Sequence, residues 1–393
     1  MKNLQNIIDN HVKSGLYPGV QWKINYKKNI FQGKSGYLNI ENKKPILDNT
    51  IYRIWSMTKP IVSIVALQLI EERILKLSDP ITDYLPQFQN LKVLRDRESN
   101  IKDLVDIIKM PTIKDLLSHT AGFTYNFLGD AVGKEYDRVK LFHSEFTTLE
   151  EEINLLSTIP LLCQPSKEWV YSISVDVIAR IIEIVTKNSL QKELKKRIFG
   201  PLEMSNTGFL IDQKNYDNIM TSYEYDPLKN KIVDPIAGEQ KIGGIGYPLN
   251  QTTYARGGHG LFSTLEDYSK FSQMLLTGKS SKGDNILSSS MLADATTNHL
   301  DKYYFPLEIK NIAEKLEEND LESYGWGLGF RVMMDLSKAQ GIGSIGEFGW
   351  AGAAATYFLV DPSNDLTAVL MTQVLSADPI LKKDFVREIY QNL

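Results

Sequence analysis

From Ile61 to Ile70 the chain reads IVSIVALQLI, apolar almost all the way round, with Ser63 and Gln68 as its only interruptions. A surface helix carries one apolar stripe, so a segment of this kind has to be enclosed by protein on every side. It is too short to span a bilayer, which takes about 20 such residues. The fold must therefore be large enough to wrap a helix completely. A chain of 393 residues with 42% hydrophobic and 23% charged residues is sufficient, in one large domain or two.

Directly ahead of this run stands IWSMTKP, residues 54–60, with Ser56 and Lys59 three apart. On a helix the two side chains emerge on one face, Ser56 at the N-terminus and Lys59 one turn in. Pro60 fits there because first-turn amides have no intrahelical partner. The positive end of the helix dipole and its free N–H groups would stabilise negative charge beside Ser56. An ammonium held in an apolar setting is pushed toward its neutral form, and a neutral amine can take the proton of a serine. Taken alone, however, the spacing is expected by chance in a chain of this length. Ser56 is then a helix cap and Lys59 a stem that reaches solvent.

Elsewhere the pattern is α+β. The opening MKNLQNIIDNHVKSG reads as an amphipathic helix, Tyr17-Pro18-Gly19 as a turn, and Val20–Tyr26 as an alternating, half-buried strand with residues 29–40 as its hairpin partner. Near the other end, Ala353–Val360 and Leu366–Val374 are β-rich runs joined by the turn Asp361-Pro362-Ser363-Asn364-Asp365, and residues 378–391 look helical. Helical periodicity marks Ile113–Leu117, Val175–Val185 and Leu265–Leu276. The expected division is a sheet domain from residues 1–80 and 255–393 and a mostly helical domain from 81–254, with the site in the cleft between them. The polar segments 124–160 and 299–322 are expected to be irregular loops over that cleft.

Several stretches then carry a resemblance. Ser56-Met57-Thr58-Lys59, Leu77-Ser78-Asp79-Pro80, Ile113–Gly122 (IKDLLSHTAG), Trp169-Val170-Tyr171-Ser172, Phe199–Met204 (FGPLEM) and Gly257–Thr264 (GGHGLFST) occur in that order. Together they resemble the serine β-lactamase and penicillin-binding-protein superfamily, in particular the class C β-lactamase-like family and its esterase members. The resemblance, running from about residue 10 to 390, implies a β-lactamase/transpeptidase-like fold: a mainly antiparallel sheet flanked by helices, with an inserted all-helical region. It implies Ser56 as nucleophile and Lys59 and Tyr171 as the groups that move its proton; a phenol beside an ammonium has its anionic form favoured. The family's Tyr-x-Asn reads Tyr171-Ser172-Ile173, and Ile173 offers no amide to a substrate. The Lys-Thr-Gly position is taken by Gly349-Trp350-Ala351-Gly352, placed directly before the strand Ala353–Val360, with Trp350 where a carboxylate-binding lysine would stand. Gly352 is expected to let substrate approach the strand backbone. By family geometry the N–H groups of Ser56 and Ala353 form the oxyanion hole.

The implied function is a serine hydrolase that cleaves carboxylic esters through an acyl-enzyme, without a cofactor. The alternatives are a β-lactamase, D-amino-acid peptidase or acyltransferase of the same fold, or a binding protein that has kept the fold without the chemistry. A net charge of -4 with scattered basic residues gives no footprint for nucleic acid and leaves a small-molecule ester or β-lactam-like substrate as the expected partner. The single cysteine, Cys163, excludes an internal disulfide. With no apolar core of signal-peptide length at its start, the protein is expected to be cytoplasmic, without a transmembrane segment. His11, His119, His143, His259 and His299 lack metal-ligand spacing, and His259, set among glycines, is a candidate substrate contact. The glycines at 341, 343 and 346 spell G-x-G-x-x-G without a preceding strand, so they read as a loop. No G-x-S-x-G elbow is present.

Overall fold

The computed structural model describes residues 1, 3–142, 148–233, 247, 249, 254–309 and 321–393. His143 and residues 310–320 of the second polar segment lie outside the described residues.

In chain order the elements begin with α1 (Leu4–Lys13), β1 (Gly19–Tyr26), β2 (Asn29–Asn39), β3 (Lys44–Pro45), β4 (Ile51–Arg53) and α2 (Thr58–Glu71). Next come β5 (Lys92–Leu94), β6 (Leu104–Asp106), α3 (Ile113–Leu117), α4 (Ala131–Arg138), α5 (Leu149–Leu156), α6 (Ser174–Thr186) and α7 (Leu190–Leu194). They are followed by β7 (Tyr223–Asp226), β8 (Lys231–Val233), β9 (Phe262–Thr264), α8 (Leu265–Thr277) and α9 (Ser289–Ala295). The last part holds β10 (Tyr324–Trp326), β11 (Arg331–Met333), β12 (Phe348–Ala351), β13 (Tyr357–Asp361), β14 (Leu366–Met371), β15 (Val374–Leu375) and α10 (Ile380–Tyr390).

Eight strands form one sheet in the order β10-β11-β12-β13-β14-β1-β2-β3, antiparallel throughout. N-terminal and C-terminal strands meet at its middle, where Gln21 pairs with Met371 and Tyr26 with Leu366. Alternation sends Val20, Trp22 and Ile24 into a cluster with Leu4 and Ile8 of α1 and Leu381, Phe385 and Ile389 of α10. The opposite face of β1 meets α8. This corrects the half-buried strand expected from the alternation. Gln21, Lys23 and Asn25 are buried too, because each finds a polar partner: Tyr52 Oη donates to Gln21, Lys23 pairs with Glu266, and Asn25 donates to Ser269.

On the far side of α8 the enclosed run lies at the centre of the helices. All residues of α2 from Thr58 to Leu69 are buried, with α6 and α7 against it and α3 and α5 against α6. The region between α2 and α8 also carries two short hairpins, β5–β6 and β7–β8, and β7 pairs in parallel with β15.

Two further expectations are corrected. The polar segment 124–160 contains α4 and α5, each started by a side-chain cap, Asp130 on the Gly133 amide and Thr148 on the Glu151 amide. The strand expected over Ala353–Val360 begins only at Tyr357. Residues 352–356 turn instead, with Ala355 at φ 61° and the Gly352 N–H donating to the Thr356 carbonyl at 2.8 Å. Trp350 accordingly lies inside a strand, β12. Among the described residues, no helix is long and apolar enough to cross a membrane.

Candidate active site

Ser56 stands on a short 3-10 turn, Trp55–Met57, that runs directly into α2. Its predecessor Trp55 has φ 45°, a left-handed conformation that costs a large residue about 1–3 kcal/mol. Packing holds it there: the Trp55 indole is 3% exposed, edge-on to Tyr247 at 4.7 Å and stacked on His259 at 6.3 Å. The strained turn lifts Ser56, which is half-buried, out of the wall of enclosed side chains on either side of it.

Lys59 is 1% exposed. Its Nζ lies 3.2 Å from Ser56 Oγ, 2.8 Å from Tyr125 Oη and 2.8 Å from the Gly258 carbonyl. These three acceptors match the three N–H bonds of an ammonium. A neutral amine fits equally well, because the carbonyl can only accept and so fixes one N–H, leaving the lone pair to turn toward a hydroxyl. The lysine therefore does not reach solvent, and the arrangement accommodates the amine with or without the extra proton.

Tyr171 is also brought to this point, but with different geometry from that expected. Lys59 Nζ sits over its ring face, 4.7 Å from the centroid, while the Trp350 indole N–H donates to its hydroxyl at 3.2 Å. Trp350 is thus a hydrogen-bond donor as well as an apolar wall. The residue that sequence reasoning missed is Tyr125, whose hydroxyl is the one bonded to Lys59. Burial, with Asp176 and Tyr171 nearby, holds Tyr125 well above the usual phenol range, so it remains a neutral O–H. Its only signal in the sequence was its place three residues beyond the IKDLLSHTAG stretch. The two tyrosines converge because residues 119–124 and 170–173 run together, Val170 N–H donating to His119 and Ile173 N–H to Thr124.

The sequence profile of the Beta-lactamase family matches residues 4–391. The chain belongs to the Beta-lactamase family. Lovastatin esterase of Penicillium rubens is 28% identical over 378 residues, 91% of this chain and 89% of that protein. Protein Rv1367c of Mycobacterium tuberculosis is 28% identical over 372 residues, 92% and 86% of the two chains. Among solved structures, EstCE1, described as a hydrolase with promiscuous acyltransferase activity, superposes with a TM-score of 0.80 at 25% identity over 98% of each chain. The fold is the β-lactamase/transpeptidase-like one, and this family includes esterases and acyltransferases.

The family's third motif position meets the Ser56 turn at Gly352. A Cβ there would lie 2.5 Å from the Ile54 carbonyl and 2.2 Å from Thr356 Oγ1. The glycine therefore lets two backbone segments approach one another. Among the described residues neither the Ser56 nor the Ala353 N–H is engaged by a carbonyl. Ile173, 1% exposed, belongs to the core, and His259, 4% exposed, is bonded to Tyr254 Oη at 2.8 Å. Burial and the neighbouring Lys59 hold both His259 and His119 well below the usual imidazole range, so both are neutral. No group of three or more His, Cys, Asp or Glu among the described residues is placed to hold a metal ion.

Behind the site Arg256 and Glu152 form an ion pair at 2.6 Å with both side chains fully buried. Burial pushes the Glu152 carboxyl up to about 8, with Arg256 opposing it. The folded state then holds a proton that the unfolded state has lost, so this group's contribution to stability falls as pH rises from the ordinary Glu range toward 8. Arg256→Met removes the opposing charge. The expected result in urea unfolding is a loss of stability that is similar at pH 6 and pH 7 and widens as pH rises through about 8 toward 9, where Glu152 ionises in the wild type and only Arg256 offsets its charge. A deficit that is small and flat with pH would show that the pair is not ionic.

Proposed function

We propose that the protein is a serine hydrolase that cleaves carboxylic esters through an acyl-enzyme on Ser56, in the cleft between the sheet part (1–80 and 255–393) and the mostly helical part (81–254). The observation that carries this reading is the placement of Lys59, an enclosed amine within reach of the Ser56 hydroxyl and fixed from behind by a carbonyl. Ser56 Oγ attacks the ester carbonyl as Lys59 takes its proton. The Ser56 and Ala353 amides receive the oxyanion. Tyr125, a neutral phenol bonded to the amine, and Tyr171, whose oxygen receives the Trp350 N–H, stand where a proton has to be returned to the leaving alcohol and later drawn from water. An alcohol in place of that water would make the same acyl-enzyme an acyltransferase.

Two side chains favour an ester over a β-lactam. Trp350 offers an indole where a lysine would bind the carboxylate of a β-lactam, and Ile173 has no amide to meet a substrate amide. The similarity to lovastatin esterase and EstCE1 points the same way. The test compares turnover of a short-chain nitrophenyl ester with that of a chromogenic cephalosporin, alongside intact-mass analysis after brief exposure to each. Faster ester turnover with an acyl adduct on Ser56 is expected. Cephalosporin turnover far above ester turnover would overturn the ester assignment.

A further inference from the structure

Asp176, in the first turn of α6, is fully buried beside the proposed site and has no part in the steps above. Its Oδ1 accepts the Gly258 N–H at 2.9 Å, and the carbonyl of the same Gly258 accepts from Lys59. Among the described residues its Oδ2 has no hydrogen bond of ordinary geometry, though the Gly257 N–H also faces the carboxyl. A Cβ on Gly258 would lie 2.4 Å from Oδ2 and 2.8 Å from Tyr125 Oη, so this oxygen, the phenol and the lysine crowd around one glycine. A buried carboxylate oxygen without a well-formed hydrogen bond is costly unless a nearby positive charge offsets it.

The other charged or titratable groups facing this pair cannot supply the matching negative charge. Tyr125 and Tyr254 are held well above the usual phenol range by burial, and His119 and His259 are neutral. Tyr171 meets the amine with its ring face, and Glu152 is committed to Arg256, whose guanidinium also favours the charged form of Asp176 but less than Lys59 does. We propose that Asp176 is the positioning residue for Lys59: through Gly258 it aims the carbonyl that holds the amine, and its Oδ2 offsets the ammonium formed when Ser56 is deprotonated. In that step the Ser56 O–H bond breaks, its proton bonds to Nζ, and its electron pair forms the new bond to the acyl carbon. Burial raises the Asp176 carboxyl and Lys59 is the strongest opposing influence, so the charges of the two groups depend on each other.

This inference rests on the ester-hydrolase reading. Asp176→Asn keeps an acceptor for the Gly258 N–H and removes the charge. Its kcat on a nitrophenyl ester is expected to fall on the order of 10²-fold, with KM within about twofold. The acidic limb of its kcat/KM profile moves to lower pH by about one unit, since an amine with no carboxylate behind it sheds its proton more readily. Gly258→Ala, which forces the carboxylate away, shifts the profile in the same direction and serves if Asp176→Asn does not fold. A pH profile superimposable on that of the wild type in the folded variant overturns the role of Asp176. A wild-type enzyme without ester turnover instead sinks the ester reading. The rate of fluorophosphonate labelling then decides on Asp176, with equal rates in wild type and Asp176→Asn counting against it.

Discussion

Ser56→Ala is expected to yield a folded protein with no measurable ester turnover. Loss of a nucleophile that works as a unit with its base lowers kcat/KM on the order of 10⁴-fold or more. Fluorophosphonate labelling should vanish with it, since that reaction needs the same oxygen. The fold should not suffer: Ser56 is half-buried, and its side chain is held by Lys59 alone among the described contacts. Turnover surviving at a tenth of the wild-type rate, or a probe that still labels the variant, would remove Ser56 from the nucleophile's role.

Lys59→Met should lower both catalysis and stability. Losing a general base costs about 10²–10⁴-fold in kcat, and here the serine loses the amine bonded to it. The side chain also holds Tyr125 and the Gly258 carbonyl and is the strongest influence opposing the burial of Asp176, and removing one member of a buried charged pair is destabilising, by up to about 3–5 kcal/mol. The prediction is a kcat lower by at least about 10²-fold with KM little changed, and an unfolding midpoint below that of the wild type. A kcat within about threefold of the parent would mean that another group, Tyr125 or Tyr171, takes the proton unaided.

The contrast between Lys59 and Tyr125 explains how much of the site the sequence carried. Ser56 and Lys59 are neighbours on one turn, so their spacing puts them on one face and the resemblance makes them a pair, and Tyr171 and Trp350 lie in stretches that carry the same resemblance. Tyr125 reaches the lysine only because residues 119–124 run beside residues 170–173, a long-range pairing that no local pattern reports. Asp176 and Gly258 come from α6 and from the approach to β9, and read singly they are a first-turn acid and a loop glycine. The same limit applies to the fold. Antiparallel strands at both ends were legible from their alternation, but alternation cannot tell whether the polar side of β1 meets water or α8. Residues 352–356 hold no proline and no turn-forming dipeptide, so their turn stayed hidden until the hydrogen bond from Gly352 to Thr356 was seen.

The seam where β14 lies against β1 has a consequence for how this protein comes into being. Gln21 leaves the ribosome long before Met371, its partner. Until then the first hairpin has one side without a mate, an exposed edge that invites pairing with other chains. Such non-local closure is slow, because loop entropy is lost before the contacts repay it. Trp350 and Ala353 arrive within the same late stretch. The nascent chain therefore carries Ser56 and Lys59 long before it has Trp350 and Ala353 to set opposite them, and the proposed site is complete only when the sheet closes.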